Sequence, residues 1–353
     1  MIAEEPEAPP LGFGIVGTGM IAGFHARAIA EAGGARLTGV AGRSETRTRQ
    51  FAETRGVPFW TTRIEDLVAR PDVQVVCIAT PSGFHLDPAL AAIRAGKHVI
   101  VEKPLEITVE RVDEMIHAAD SAGVRLAAIF QSRFGAGAKA VKAAVDAGRF
   151  GRLVLASAYV KWHRKPDYYR GWKGTLAIDG GGALMNQGIH AVDLLQWFAG
   201  LPAEVFGRTA RRVHTGIEAE DTVTAALRFP SGALGSIEAT TAAYPGWARR
   251  IEICGENGSV ALEDDGIARW EFRVPDPGDA AICQAAAAEK MGSGSAAPDQ
   301  ISHHGHLLQI RDMIESVRSG RPLAVDGRAA RNGVALVRAV YESAAKNRPV
   351  APG

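Results

Sequence analysis

Three side chains could together strip a proton from a hydroxyl while a hydride leaves the same carbon: Lys103, Asn186 and His190. Lys103 stands in Glu102-Lys103-Pro104, directly after the apolar run of residues 98–101. A lysine ammonium loses its proton more readily when desolvated or placed near another cation, which suits it to act as a base. Pro104 fixes the backbone behind it, with a cis Lys-Pro bond as the expected geometry. Glu102 is placed to bind a cofactor or to orient the lysine. Asn186 and His190 follow the run Gly180-Gly181-Gly182 and lie four positions apart, so a helix would put them on one face. An amide can orient a hydroxyl, and an imidazole exchanges its proton near neutral pH. Asp193 is placed to pin that helix through a hydrogen bond.

A hydride needs an acceptor, and Gly17-Thr18-Gly19-Met20-Ile21-Ala22 offers a place for one. The pattern is GxGxxA, between an expected strand and an expected helix. Free backbone N–H groups and the positive end of the helix dipole would face a pyrophosphate there. A carboxylate at the end of the second strand would grip a ribose 2′-OH, but the chain reads Ala41-Gly42-Arg43-Ser44. Arg43 and Ser44 suit a 2′-phosphate, so of NAD and NADP the second is slightly favoured. Thr80, Pro81, Ser82 and His85 follow a buried strand and could flank the nicotinamide ribose; His85 reads equally as a helix-cap residue.

Asp167 to Lys173 mixes rings with polar groups. Tyr168, Tyr169 and Trp172 suit a sugar, whose C–H faces are apolar and whose edges are hydroxyls. His303, His304 and His306 invite a metal, yet no carboxylate or cysteine spacing supports one, and no metal is expected. Three scattered cysteines with no CxxC pair support neither zinc nor a disulfide framework. With 40 Lys plus Arg against 39 Asp plus Glu, nothing points to nucleic acid or an anionic membrane as partner. Residues 1–10 are acidic and proline-rich, without the basic and apolar regions of a secretory signal, and cytoplasmic residence is the expectation.

The elements that must position these groups follow from the hydrophobic pattern. Strands are expected at residues 11–16, 36–41, 73–79, 98–101 and 124–130, with helices at 21–32, 88–95 and from Thr108 to Gly123. This alternation marks βαβ units and a parallel, doubly wound sheet over residues 1–130. After Gln131, strands at 153–160, 204–209, 221–229, 233–241, 248–254 and 259–262 are separated by turns without helices. That describes an antiparallel sheet in a second, α+β domain, residues 131–353. Helices are expected at 138–147, 184–198, 309–318 and 329–345, and a mobile loop at 285–298.

Together these residues resemble the glucose–fructose oxidoreductase and inositol dehydrogenase family (Gfo/Idh/MocA), from Phe13 to about Val350. The family's glycine loop is similar to Gly17–Ala22, its Glu-Lys-Pro signature to Glu102–Pro104, and its second-domain helix to Gly180–Asp193. The closing Gly320-Arg321-Pro322 and Tyr341-Glu342-Ser343-Ala344 are similar too. The resemblance implies a Rossmann domain followed by an open, mostly antiparallel sheet whose exposed face commonly mediates oligomerisation, as a homodimer or homotetramer. It also implies hydride transfer between a nicotinamide and a sugar, glycoside or polyol carbon, with the lysine and histidine at the reacting hydroxyl. Many members carry aspartate where this chain has Asn186. The asparagine form resembles the branch that oxidises the 3-hydroxyl of sugars, including nucleotide-linked sugar acids. Two other readings stay open: a glycoside hydrolase or lyase that oxidises C3 transiently, and a non-catalytic cofactor sensor.

Overall fold

The computed structural model describes residues 8–288 and 302–353. Strands β1 (Leu11–Val16), β2 (Ala35–Ala41), β3 (Trp60–Thr61), β4 (Val75–Ile78), β5 (His98–Val101) and β6 (Leu126–Ala128) form a parallel sheet. Their order is β3-β2-β1-β4-β5-β6, so the winding reverses between β1 and β4 and a crevice opens at the carboxyl ends there. Helices α1 (Met20–Glu31), α2 (Glu45–Arg55), α3 (Ile64–Val68), α4 (Leu86–Arg94) and α5 (Val109–Ala122) join the strands. All four residues of β4 are buried, each apolar side chain contributing about 1.5–3 kcal/mol on removal from water. Helix α5 begins where Thr108 accepts the Arg111 N–H and ends at Gly123 in the left-handed region.

The second sheet takes β7 (Leu153–Lys161), β8 (Glu204–Ala210), β9 (Thr222–Arg228), β10 (Leu234–Thr240), β11 (Arg250–Gly255), β12 (Gly258–Glu263) and β13 (Gly266–Phe272). Their order is β13-β12-β11-β7-β10-β9-β8. It is mostly antiparallel, but β7 and β10 run parallel, which alternation alone does not reveal. Helices α6 (Ala136–Asp146), α7 (Ile189–Ala199), α8 (Asp279–Ala288), α9 (His304–Ser319) and α10 (Gly327–Lys346) complete the chain. Helix α9 returns to the first sheet: Leu307, Ile310, Met313 and Ile314 share a core with Phe13, Ile15 and Ile29. Helix α10 packs on both α5 and β8 and ties the two layers together.

The expected loop at 285–298 is overturned for its first part, because residues 285–288 lie in α8, where an alanine run follows its strong helix propensity. The rest of that loop lies outside the described residues. Helix α2 was not expected: it buries only Thr48, Phe51 and Ala52, too few for a readable period. Helix α3 and strands β3 and β13 are further additions. Among the described residues no helix is long and apolar enough to cross a membrane.

Candidate active site

The chain leaves β1 at Val16 and turns into α1 through Gly17 and Gly19. Gly17 has φ +114°, and a Cβ there would sit 2.5 Å from the Ala79 carbonyl oxygen, so both backbone and space require glycine. Around Gly19, the N-cap of α1, nothing would meet a Cβ within 4 Å, and the first turn carries no side-chain cap and no acidic residue. Its N–H groups are thus open to an anion. A cavity of about 1040 Å³ extends from this loop past Arg43, Ser44, Thr80, Pro81 and Ser82 to Glu102 and Lys103. An unblocked helix N-terminus at the switch point of a long cleft fits a dinucleotide. His85 is not on the wall: its ring lies between the two loops, with one nitrogen 2.9 Å from Pro104 O and the other 3.0 Å from Thr80 O, and its single N–H donates to one of them.

Glu102 is nearly inaccessible. The Nε2–H groups of His25 and His306 both donate to its Oε1, at 3.0 and 2.9 Å, and the Lys103 N–H donates to Oε2 at 3.2 Å. Burial opposes the charge on Glu102, but the two histidine hydrogen bonds outweigh it and hold the carboxyl well below its usual range. Burial lowers His25. The three donor atoms lie within 4.8 Å of one another, a spacing that could also hold a cation and that mutual hydrogen bonding accounts for. The histidine run therefore separates by role: His303 reaches Glu31 at 2.9 Å, while His306 turns inward.

Lys103 and Pro104 are joined by a cis peptide. Across the cleft, residues Ala183–Gly188 form a π-helix that continues into α7. The wide turn departs from the α-helix expected at 184–188, and such turns recur at functional sites. Its entry is crowded: a Cβ on Gly182 would lie 1.7 Å from Glu220 O. The Glu220 carboxylate accepts the Gly182 and Leu184 N–H groups, each at 2.9 Å, and burial pushes its pKa up to about 7.

This turn brings Asn186 and His190 onto the same cavity as Lys103. Lys103 Nζ donates to the Asn186 carbonyl at 2.9 Å, and burial lowers its pKa. The Asn186 amide donates to Asp179 Oδ1 at 2.7 Å, and its Oδ1 accepts the Tyr168 hydroxyl at 3.3 Å. Burial, then the charges of Lys103 and Arg249, hold His190 well below the usual histidine range. His190 Nδ1 is buried without a partner. Asp193 does pin α7, by a paired contact with Arg133 at 2.6 and 2.7 Å.

Trp172 lines the cavity, whereas Tyr169 stands outside its wall, bonded to Thr241 Oγ1 at 2.6 Å. Tyr168 and Lys173, from the segment expected to face a sugar, line it too, as do Arg164 and Arg249, which sequence reading did not place there. Lys173 Nζ lies 3.6 Å from the centre of the Tyr168 ring, and burial, with Lys103 nearby, brings it down to about 8. Asp179 sits behind Asn186, and its one sequence signal is its place directly before the glycine run.

Residues 11–130 match the oxidoreductase family with an NAD-binding Rossmann fold, and residues 138–261 match the GFO/IDH/MocA C-terminal domain. A 1,5-anhydro-D-fructose reductase of Ensifer adhaerens is 32% identical over 70% of this chain and 74% of its own length. The chain belongs to the GFO/IDH/MocA oxidoreductase family. Members similar along nearly the whole length include a myo-inositol 2-dehydrogenase of Thermotoga maritima, 28% identical over 96% of this chain and 97% of its own. Among solved GFO/IDH/MocA structures, the WlbA dehydrogenase of Bordetella pertussis in complex with NADH and UDP-GlcNAcA superposes with a TM-score of 0.89. It is 33% identical over 98% of both chains. The protein is thus an NAD-binding oxidoreductase, and its relatives are sugar and polyol dehydrogenases and reductases.

Proposed function

We propose that the protein transfers a hydride between NAD(P) and a secondary alcohol carbon of a sugar, glycoside or polyol, with C3 of a sugar acid as the favoured position. The observation that carries this reading is the meeting of Lys103, Asn186 and His190 on one cavity with the glycine loop. When bound, the nicotinamide accepts or returns the hydride. Lys103, its ammonium weakened by burial, takes the hydroxyl proton as the carbonyl forms, and returns it in reverse. His190, kept neutral, lines the cavity beside Lys103 and is placed to hydrogen-bond the same hydroxyl or its neighbour. Asn186 is held by Asp179 and Tyr168 and fixes where the lysine stands. Trp172 provides an apolar surface for the C–H face of a ring.

Charge on the wall bears on the substrate. Lys173, Arg164 and Arg249 join Lys103, against Glu102, Asp264 and Asp265. A carboxylate or phosphate on the sugar would meet this cationic end favourably, in keeping with the nucleotide-linked sugar acid held by the WlbA relative. At the adenosine end Arg43 and Arg47 supply charge for a 2′-phosphate, while solved relatives hold NADH. The outer face of the second sheet is the surface for self-association.

Absorbance of reduced nicotinamide, followed with NAD and NADP against neutral, acidic and nucleotide-linked sugars, tests the proposal. Turnover with an acidic sugar supports it. Absence of reduction across the panel would defeat it, and cleavage of an aryl glycoside without net redox would select the hydrolase alternative.

A further inference from the structure

We infer that Asp179 is a positioning residue of the proton-transfer site, supplying through the Asn186 carboxamide the negative charge that the reacting lysine needs. This rests on the role proposed above for Lys103.

Asp179 is 1% exposed. A buried carboxylate is costly unless its charge is used or matched. Its two hydrogen-bond donors are neutral: the Gly174 N–H reaches Oδ2 at 2.8 Å and the Asn186 amide reaches Oδ1 at 2.7 Å. The cations that face it are Lys103 and Lys173, both of which act on its charge. Burial raises Asp179, and those neighbours draw it back. Lys103 itself faces Glu102 and Asp179, which favour its ammonium, and Arg164, Lys173 and His190, whose positive charge or closeness opposes it.

Asn186 joins the two. Its side chain grips Asp179, while its backbone oxygen accepts the Lys103 ammonium at 2.9 Å. Its Oδ1 is already committed to Tyr168, so the amide must turn its nitrogen to Asp179. A second carboxylate at 186 would face Asp179 at hydrogen-bond distance, and two such charges cannot both persist without a shared proton. Position 186 is therefore an amide because the charge stands one hydrogen bond further back. The chain keeps one negative charge here, on the residue before the glycine run.

Two variants test this: Asp179→Asn, and the exchange Asp179→Asn with Asn186→Asp. The kcat/KM profile for alcohol oxidation should move its acidic limb to lower pH in Asp179→Asn by about one unit, with turnover falling about tenfold. The exchange should restore the limb and most of the turnover, because the carboxylate and amide trade places across one bond. Labelling of Lys103 by an amine-reactive reagent in the cofactor-free protein, read by peptide mass spectrometry across pH, reports the lysine without turnover. Its midpoint should fall in Asp179→Asn and recover in the exchange. An unchanged labelling midpoint and pH profile in Asp179→Asn, or an exchange no better than the single variant, overturns the inference. Lys103→Met separates the two failures: if it keeps full turnover, the role of the lysine itself is wrong; if it is inactive while Asp179→Asn keeps the parent profile, only the present inference fails.

Discussion

Lys103 Nζ rests 2.9 Å from the carbonyl oxygen of Asn186, a residue 83 positions later in the chain. One comes from the end of β5 in the Rossmann sheet, the other from a π-helical turn against the second sheet. Because the contact uses the backbone oxygen, the site depends on the course of the turn as much as on the side chain at 186. Burial of the amine between the two layers lowers its pKa, which is the direction the proposed role as a base requires.

Replacing Lys103 by methionine keeps the length and apolar stem while deleting the amine. Turnover should fall by about 10²–10⁴-fold, the usual scale of general acid–base catalysis. Cofactor affinity, read by quenching of intrinsic fluorescence, should stay within about twofold, because the glycine loop is untouched. Parallel losses of binding and turnover would instead assign Lys103 to holding the cofactor.

Glu102 makes stability depend on pH. Its folded-state pKa lies well below the ordinary 4.5, so its contribution is present above that value and lost as pH falls through the lowered one. His25 is depressed from 6.5 by burial, so below 6.5 the unfolded chain binds the proton first and stability falls in the same direction. Glu102→Gln should lower stability at neutral pH by about 2–4 kcal/mol, since one buried oxygen takes hydrogen bonds from two histidines. Thermal melts across pH should show the gap between variant and parent narrowing below the carboxylate range. A gap independent of pH would mean that the charge on Glu102 is not what the histidines stabilise.

Much of this was legible in local pattern. The apolar run before Glu102 gave the bounds of β5, and Thr108 and Gly123 marked both ends of α5. What escaped was pairing between distant residues. Glu102 meets His25 and His306 across 77 and 204 positions, and Glu220 caps a turn that lies 36 and 38 residues before it. Such contacts leave no period in the sequence. The parallel pairing of β7 with β10 escaped for the same reason: alternation tells which face is buried, not which neighbour lies alongside. Asp179 was hidden because an acid beside glycines reads as a turn.

Arg43 decides cofactor choice in the proposed scheme. Its guanidinium lies 5.4 Å from the centre of the Phe84 ring and lines the cavity beside Ser44. Ser44, however, accepts the Arg47 N–H as the cap of α2, at 3.5 Å, so its hydroxyl is only partly free for a phosphate. Arg43→Ala should raise the KM for NADP about tenfold, the equivalent of about 1.4 kcal/mol, while changing that for NAD about twofold or less. Equal effects on both cofactors would assign Arg43 to the adenine rather than to the 2′-phosphate.

The outer face of the second sheet bears on assembly. Leu155 of β7 and Leu234 of β10 are direct neighbours in register, 48% and 55% exposed, with Val154 beside them at 54%. Apolar side chains gathered on an open sheet face are the reason this face is proposed for self-association. A second copy fits, because a two-fold axis would set this patch against itself. Light scattering after size exclusion should therefore give a mass of two or four chains. The pair Leu155→Asp with Leu234→Asp should shift it toward the monomer by placing like charges across the axis, with the circular dichroism spectrum unchanged. A parent protein that runs as a monomer, or a charged pair with the parent's mass, would remove this face as the interface.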